Sequence, residues 1–177
     1  MADTIEIPLS KTKIVVLIIG ATVFVGLGLL FVIKPETFIN PILRSPIAIA
    51  FVGYASVIFF GLCAVVGFRK LFDTKAGLIV DDKGLSDNSS GVSTGFIPWG
   101  DISDINSIEI SGQKLIMIIV SNPEFYINKR TNYIAKKAAS INHRMYGSPI
   151  SLNAGTLKCN YDDLYRLLRD RWQNSRI

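Results

Sequence analysis

Two stretches decide the architecture: IVVLIIGATVFVGLGLLFVI over Ile14–Ile33 and IAIAFVGYASVIFFGLCAVVGF over Ile47–Phe68. Neither holds a charged residue. A helix rises about 1.5 Å per residue, so about 20 residues cover the roughly 30 Å of hydrocarbon in a bilayer. Both stretches reach that length and are predicted to be membrane spans. The segment between them, Lys34 to Pro46, carries Pro35, Pro41 and Pro46. Proline cannot continue a helix, so the spans form a hairpin rather than one bent rod. Phe38, Ile39, Ile42 and Leu43 make the turn apolar enough to sit at the lipid interface.

Lys11 and Lys13 precede the first stretch, as the charged region of a secretion signal would. Its apolar length exceeds the usual signal core of about 7 to 15 residues, however, and no small-x-small cleavage site precedes Lys34. A retained span is therefore expected. Lys11, Lys13 and the terminal amine lie before the first span, and Arg69, Lys70 and Lys75 follow the second, against Lys34 and Arg44 in the turn. The positive-inside rule then places both termini in the cytoplasm. Thr22 and Gly26 form a small-xxx-small pair, and Gly53 and Gly61 lie near one helix face. Such residues let helices approach closely in lipid. Packing of the two spans on each other is the first expected use, and a homo-oligomer interface the second. With no ionisable residue inside either span, a proton relay or ion pathway is disfavoured.

The chain has 177 residues, a net charge of +5 and a mean hydropathy of +0.37, most of it supplied by the first 70 or so residues. The expected division is 1–75 for the N-terminal segment and spans, and 76–177 for a soluble domain. A basic balance suits nucleic acid or an anionic membrane surface. Zinc-finger spacing and RNA-binding aromatic motifs are both missing, so the bilayer is the expected partner and nucleic acid is not. The two cysteines, Cys63 in a span and Cys159 in the soluble part, are not expected to meet, which fits a reducing compartment.

From Gly77 the pattern turns to period two. Leu78–Val80 reads as a short strand, Asp82-Lys83-Gly84 as a turn with Gly84 able to take positive φ, and Leu85 as the start of a second strand ended by Asn88–Gly91. Gly95–Ile97 leads into Pro98-Trp99. Ile105, Ile108 and Ile110 lie near one strand face, Ser111-Gly112 turns the chain, and the apolar run Leu115–Val120 predicts a strand buried on both faces. A helix is predicted from Pro123 to Tyr146. Pro149–Asn153 and Gly155–Lys158 read as two short strands. The last helix is well marked: Asn160 as N-cap, Asp162 and Asp163 in the first turn, and an apolar face of Tyr161, Leu164, Tyr165, Leu168 and Trp172.

About seven antiparallel strands closed into a barrel and capped by a C-terminal helix describe an α+β pleckstrin-homology-like domain. Phe96-Ile97-Pro98-Trp99-Gly100-Asp101-Ile102, with Ile105 three on, resembles the apolar-Pro-Trp-x-Asp-Ile motif of bacterial pleckstrin-homology-like membrane proteins. The whole chain also resembles a small two-span bacterial membrane family. The resemblance implies one or two spans ahead of such a domain, and the segment from about 122 to 148 is a helical insertion relative to its minimal form. Trp99 is expected to anchor the core, and Asp101 to cap the turn that follows it.

The residues supply no catalytic constellation. His143, the sole histidine, has no Cys, Asp or Glu at ligand spacing and is expected to be an exposed helix residue. Cys159 has no identifiable base. Ser89, Ser90, Gly91 and Gly95 are too scattered for a phosphate loop. Neither a cofactor, a metal site nor an enzymatic activity is expected.

One cluster stands out. Lys129, Arg130, Lys136, Lys137 and Arg144 occur without an acidic residue among them. On a continuous helix Arg130, Lys137 and Arg144 fall within about 40°, with Tyr126 and Tyr133 beside them, while Ile127, Ile134, Ala138, Ile141 and Met145 form a separate face for packing on the barrel. Tyr126, Lys129, Arg130, Tyr133, Lys136, Lys137 and Arg144 are therefore the candidate contacts for anionic lipid headgroups or a partner. The function expected is a non-enzymatic interaction or scaffold module held at the inner (cytoplasmic) membrane. The runner-up is a membrane-resident immunity or protective protein that binds a toxin or another membrane protein.

Overall fold

The computed structural model describes residues 4–39, 45–90, 92–110, 112–130 and 132–176. The chain divides into two compact units, Lys11–Asp73 and Met1–Ser10 together with Thr74–Ile177.

The first unit is a pair of helices, α1 (Lys11–Ile33) and α2 (Pro46–Leu71), each long and apolar enough to cross a membrane. Ser45 caps α2 through its hydroxyl, and Pro46 occupies the first turn, where a missing N–H costs nothing. A single 3₁₀ turn, Pro35–Phe38, follows α1. The expected interfacial residues Ile42 and Leu43 lie outside the described residues. Ile14, Ala21 and Gly28 are the buried positions of α1, and Ile49 and Gly53 those of α2. The first three repeat every seven residues, the spacing of a helix–helix seam. Gly28 and Gly53 are where the backbones meet: a Cβ on Gly53 would sit 2.7 Å from the Gly28 carbonyl oxygen. Of the glycines expected at the contact, Gly53 is there, whereas Gly26 and Gly61 have open space beside them. The Thr22 hydroxyl donates to the Ile18 carbonyl of its own helix at 2.9 Å. Ser56 Oγ donates across the pair to the Phe24 carbonyl at 3.0 Å, and Phe24 stacks on Phe60 at 4.4 Å. Most other large apolar side chains of both helices are exposed, forming an extensive apolar surface.

The second unit holds two antiparallel sheets. The first has the order β1-β2-β3-β4, from Ile5–Ile7, Leu78–Val80, Gly84–Asp87 and Gly95–Pro98. The second has the order β5-β6-β7, from Ile102–Ile110, Gln113–Val120 and Ser151–Leu152. Strand β1 was not expected: it lies ahead of α1 and pairs with β2, Ile5 opposite Val80 and Ile7 opposite Leu78. Leu9 continues the stitching with an antiparallel bridge to Leu157. Among the described residues the strands do not close into a barrel. The sheets stay separate because β7 has only two residues and Ala154–Thr156 makes a 3₁₀ turn, capped by the Asn153 side chain, in place of a further strand. Gly84 does not take positive φ. It is required for close approach, since a Cβ there would lie 2.2 Å from the Ile97 carbonyl oxygen.

The core takes Leu78, Val80, Leu85, Ile97, Trp99, Ile105, Ile116, Met117 and Ile118, so β6 is buried on both faces as its unbroken apolar run predicts. The last helix, α5 (Tyr161–Asn174), buries Leu164, Leu168 and Trp172. Its Asn160 side chain accepts from the Asp163 N–H at 2.8 Å. The Trp172 indole donates to the Ile102 carbonyl at 3.0 Å, which fixes α5 to the start of β5.

Candidate functional site

The insertion predicted as one helix is two: α3 (Pro123–Asn128) and α4 (Tyr133–Tyr146). Two asparagines set the break. Asn122 accepts from Phe125 N–H at 3.1 Å and starts α3, and Asn132 accepts from Ile134 N–H at 2.8 Å and starts α4 afresh. Gly147 ends α4 in the left-handed conformation at φ 78°, the usual role of a glycine just past a helix. Arg130 and Tyr126 are thus not on the helix that carries Lys137 and Arg144, and the shared charged face expected of them does not form.

Tyr126 is 1% exposed, and its hydroxyl donates to the Asp101 carboxylate at 2.5 Å. It cannot touch a lipid surface. Asp101 serves as this acceptor, and its carbonyl takes the Ser121 N–H at 2.9 Å, joining the β4–β5 corner to the end of β6. Burial, then the hydrogen bond to Asp101 and its charge, hold the Tyr126 hydroxyl proton well above its ordinary value of 10.0. The sign follows: above about pH 10 the unfolded chain releases this proton and the folded chain keeps it, so stability is present below that pH and falls as pH rises. Tyr126→Phe should cost about 1.5 to 3 kcal/mol at neutral pH, the worth of a hydrogen bond to a charged group, and should flatten the alkaline decline. Denaturant midpoints measured from pH 8 to 11 read both effects.

Arg130 is half-buried and already occupied. It donates through Nη1 to the Val92 carbonyl and through Nη2 to Thr94 Oγ1 at 2.7 Å. Burial pulls its guanidinium below its ordinary value, opposed by the charge of Asp87. Asp87 is a buried carboxylate missed at the level of sequence. It accepts from Ser89 N–H at 2.9 Å, Ser89 Oγ at 2.6 Å and Thr94 N–H at 3.1 Å, and so organises the loop that Arg130 clamps. Its Asp-Asn-Ser-Ser context is an Asx-turn signal. Lys129 is exposed but donates to the Phe96 carbonyl at 3.2 Å.

Tyr133, Lys136, Lys137 and Arg144 are all exposed on α4. The apolar residues expected to pack inward do not: Ile134, Ile141 and Met145 are exposed too. The helix docks through Ala135 and Ala139, whose small side chains allow close approach, and through Asn142, which donates to Ser151 Oγ at 3.2 Å. Of the expected apolar face only Ile127 is buried, and Ala138 is half-buried. His143 is half-buried rather than exposed, with Nδ1 enclosed and without a hydrogen-bond partner among the described residues. Scans of the chain against protein-family models, curated proteins and solved structures found no match.

Proposed function

We propose that this chain is a non-enzymatic, two-span protein of the bacterial inner (cytoplasmic) membrane, with both termini in the cytoplasm. Its pleckstrin-homology-like soluble unit serves as an interaction or scaffold module at the membrane surface. The observation that carries this reading is the pairing of β1 with β2: residues ahead of α1 and residues behind α2 belong to one folded unit. This pairing supports both ends of the helical pair lying on one side of a bilayer, as two spans require.

The charges support the side chosen. Lys11 and Lys13 open α1, and Arg69 and Lys70 close α2. Lys11 Nζ donates to the Lys70 carbonyl at 3.0 Å, so these cations gather at one end of the pair. The pleckstrin-homology likeness draws on Phe96–Ile102 at the β4–β5 corner and on a terminal helix packed on β5.

Reporter fusions test the topology. A reporter after Ile177 should be active only as a cytoplasmic fusion, and one inside the Lys34–Pro46 turn only as a periplasmic one. A periplasmic C-terminus overturns the reading. Capture of cross-linked partners from detergent extracts, followed by mass spectrometry, tests the module. Partners should be lost when the soluble unit is unfolded by substitution. Partners that persist would bind the spans, and the soluble unit would not be the module.

A further inference from the structure

We propose that the outward face of α4 lies in the plane of the membrane surface and binds anionic phospholipid, its apolar stripe among the acyl chains and its cations among the headgroup phosphates. This rests on the reading of the soluble unit as a module at the membrane surface, and names what it holds there.

The two fourteen-residue helices of the soluble unit differ in what they do with their apolar side. Helix α5 turns Leu164, Leu168 and Trp172 into the core and shows solvent a mixture of Asp162, Asp163 and Asp170 with Arg166, Arg169 and Arg171. That is the ordinary arrangement of a surface helix. Helix α4 does the reverse. Ala135 and Ala139 face inward, while Tyr133, Ile134, Ile141 and Met145 are 76%, 66%, 44% and 60% exposed. At 100° per residue Ile134, Ile141 and Met145 lie within about 40° of one another, and Lys137, Arg144 and Tyr133 fill the adjoining 40° or so. The stripe of large apolar side chains is thus bordered by a row of cations, and nothing in the folded unit covers either.

Charge selects the occupant. Helix α4 carries Lys136, Lys137 and Arg144 and no acidic residue. The side chains of these three make no hydrogen bond or ion pair among the described residues. An apolar stripe alone would suit a protein groove or a second copy equally well. A stripe flanked on its exposed side by Lys137 and Arg144, with Tyr133 beside them and no acidic residue on the helix, fits an anionic interface, where aromatic rings settle at headgroup level and Lys and Arg meet phosphate. The bilayer is also the partner that is always present, because the unit is joined to two apolar spans at both of its connections. Attachment turns binding into an intramolecular event, so a short helix with three cations suffices.

The test uses the full chain with Cys63 and Cys159 changed to Ala and a nitroxide attached at Ile141→Cys. It is reconstituted in vesicles of phosphatidylcholine, with or without about one third phosphatidylglycerol. Collision rates with oxygen and with a water-soluble nickel chelate report depth. In anionic vesicles the nickel collision rate should fall at least about fivefold relative to neutral ones, and high salt should restore most of it as the Debye length shrinks. Lys136→Gln, Lys137→Gln and Arg144→Gln together should abolish the difference while tryptophan fluorescence shows an intact fold. A label open to nickel in both vesicles overturns the proposal. So does a label shielded equally in both and indifferent to the triple change, which would mean that a second copy or a protein covers the face. Neither result alters the reporter-fusion topology, so failure here is separable from failure of the membrane-surface reading.

Discussion

Trp99→Ala should destabilise the soluble unit by about 3 to 5 kcal/mol, the range for truncating a buried aromatic. Trp99 is 5% exposed, and its indole N–H donates to the Asp81 carbonyl at 2.9 Å. Its own backbone N–H donates to the Lys83 carbonyl at 3.1 Å. The Asp81 side chain in turn accepts from the N–H groups of Lys83 and Gly84, at 2.8 and 2.9 Å. One side chain therefore pins the β2–β3 turn to the β4–β5 corner, and its removal opens a cavity while taking away the donor to a half-buried carbonyl. The protein offers a clean readout. Its two tryptophans, Trp99 and Trp172, both lie in the soluble unit, so fluorescence of the full chain in micelles reports that unit alone. In the variant, Trp172 against the Ile102 carbonyl remains as the probe. A urea-derived loss below about 1 kcal/mol would mean that Trp99 is not a core residue.

What could be read in advance sorts by the length of the signal. The two apolar helices and α5 were legible because each declares itself over many residues, through uninterrupted apolarity or through a cap, an acidic first turn and a 3.6-residue period together. Strand β1 was not, because three residues, Ile5-Glu6-Ile7, carry no usable period and owe their strand to a partner that follows both spans. The Asp82-Lys83-Gly84 turn lies where its residues predict, but contact with the Ile97 backbone, not φ, excludes a side chain at Gly84. The candidate site shows a deeper limit. Periodicity groups Ile134, Ile141 and Met145 on one face of α4, as the structure does. It cannot tell which face docks. Size decided that here, since Ala135 and Ala139 let the helix approach closely and the larger stripe was left outside. Likewise the sequence groups the cations from Lys129 to Arg144 on one helix, whereas Asn132 starts a new helix and Arg130 is held by the Val92 carbonyl and Thr94.

Ile7→Asp should cost the soluble unit about 3 to 5 kcal/mol, the penalty for an uncompensated charge in a protein interior, although Ile7 precedes the first apolar helix. Ile7 is 7% exposed and pairs with Leu78, and its carbonyl accepts the Gly77 N–H at 2.9 Å. The residues that follow are tied to a second segment: Lys158 N–H donates to the Pro8 carbonyl at 2.9 Å, and Ser10 N–H to the Thr156 carbonyl at 2.8 Å. A Cβ on Gly77 would sit 2.5 Å from Leu157 Cδ2 and 3.0 Å from Leu9 Cδ2, so the packing beneath this strand leaves no room for a hydrated carboxylate. The loss should be pH-dependent with a definite sign. Burial raises the pKa of the introduced carboxyl above the unfolded value of about 3.9, so the penalty is full at neutral pH and shrinks as pH falls toward 4. Glu6→Ala, one residue away on the exposed face, should change stability by less than about 0.5 kcal/mol. Tryptophan fluorescence of the full chain in urea at pH 7 and pH 5 distinguishes the cases. If Ile7→Asp behaves like Glu6→Ala, β1 is not a working strand of the sheet, and the argument that both ends of the helical pair share one side of the membrane loses its foundation.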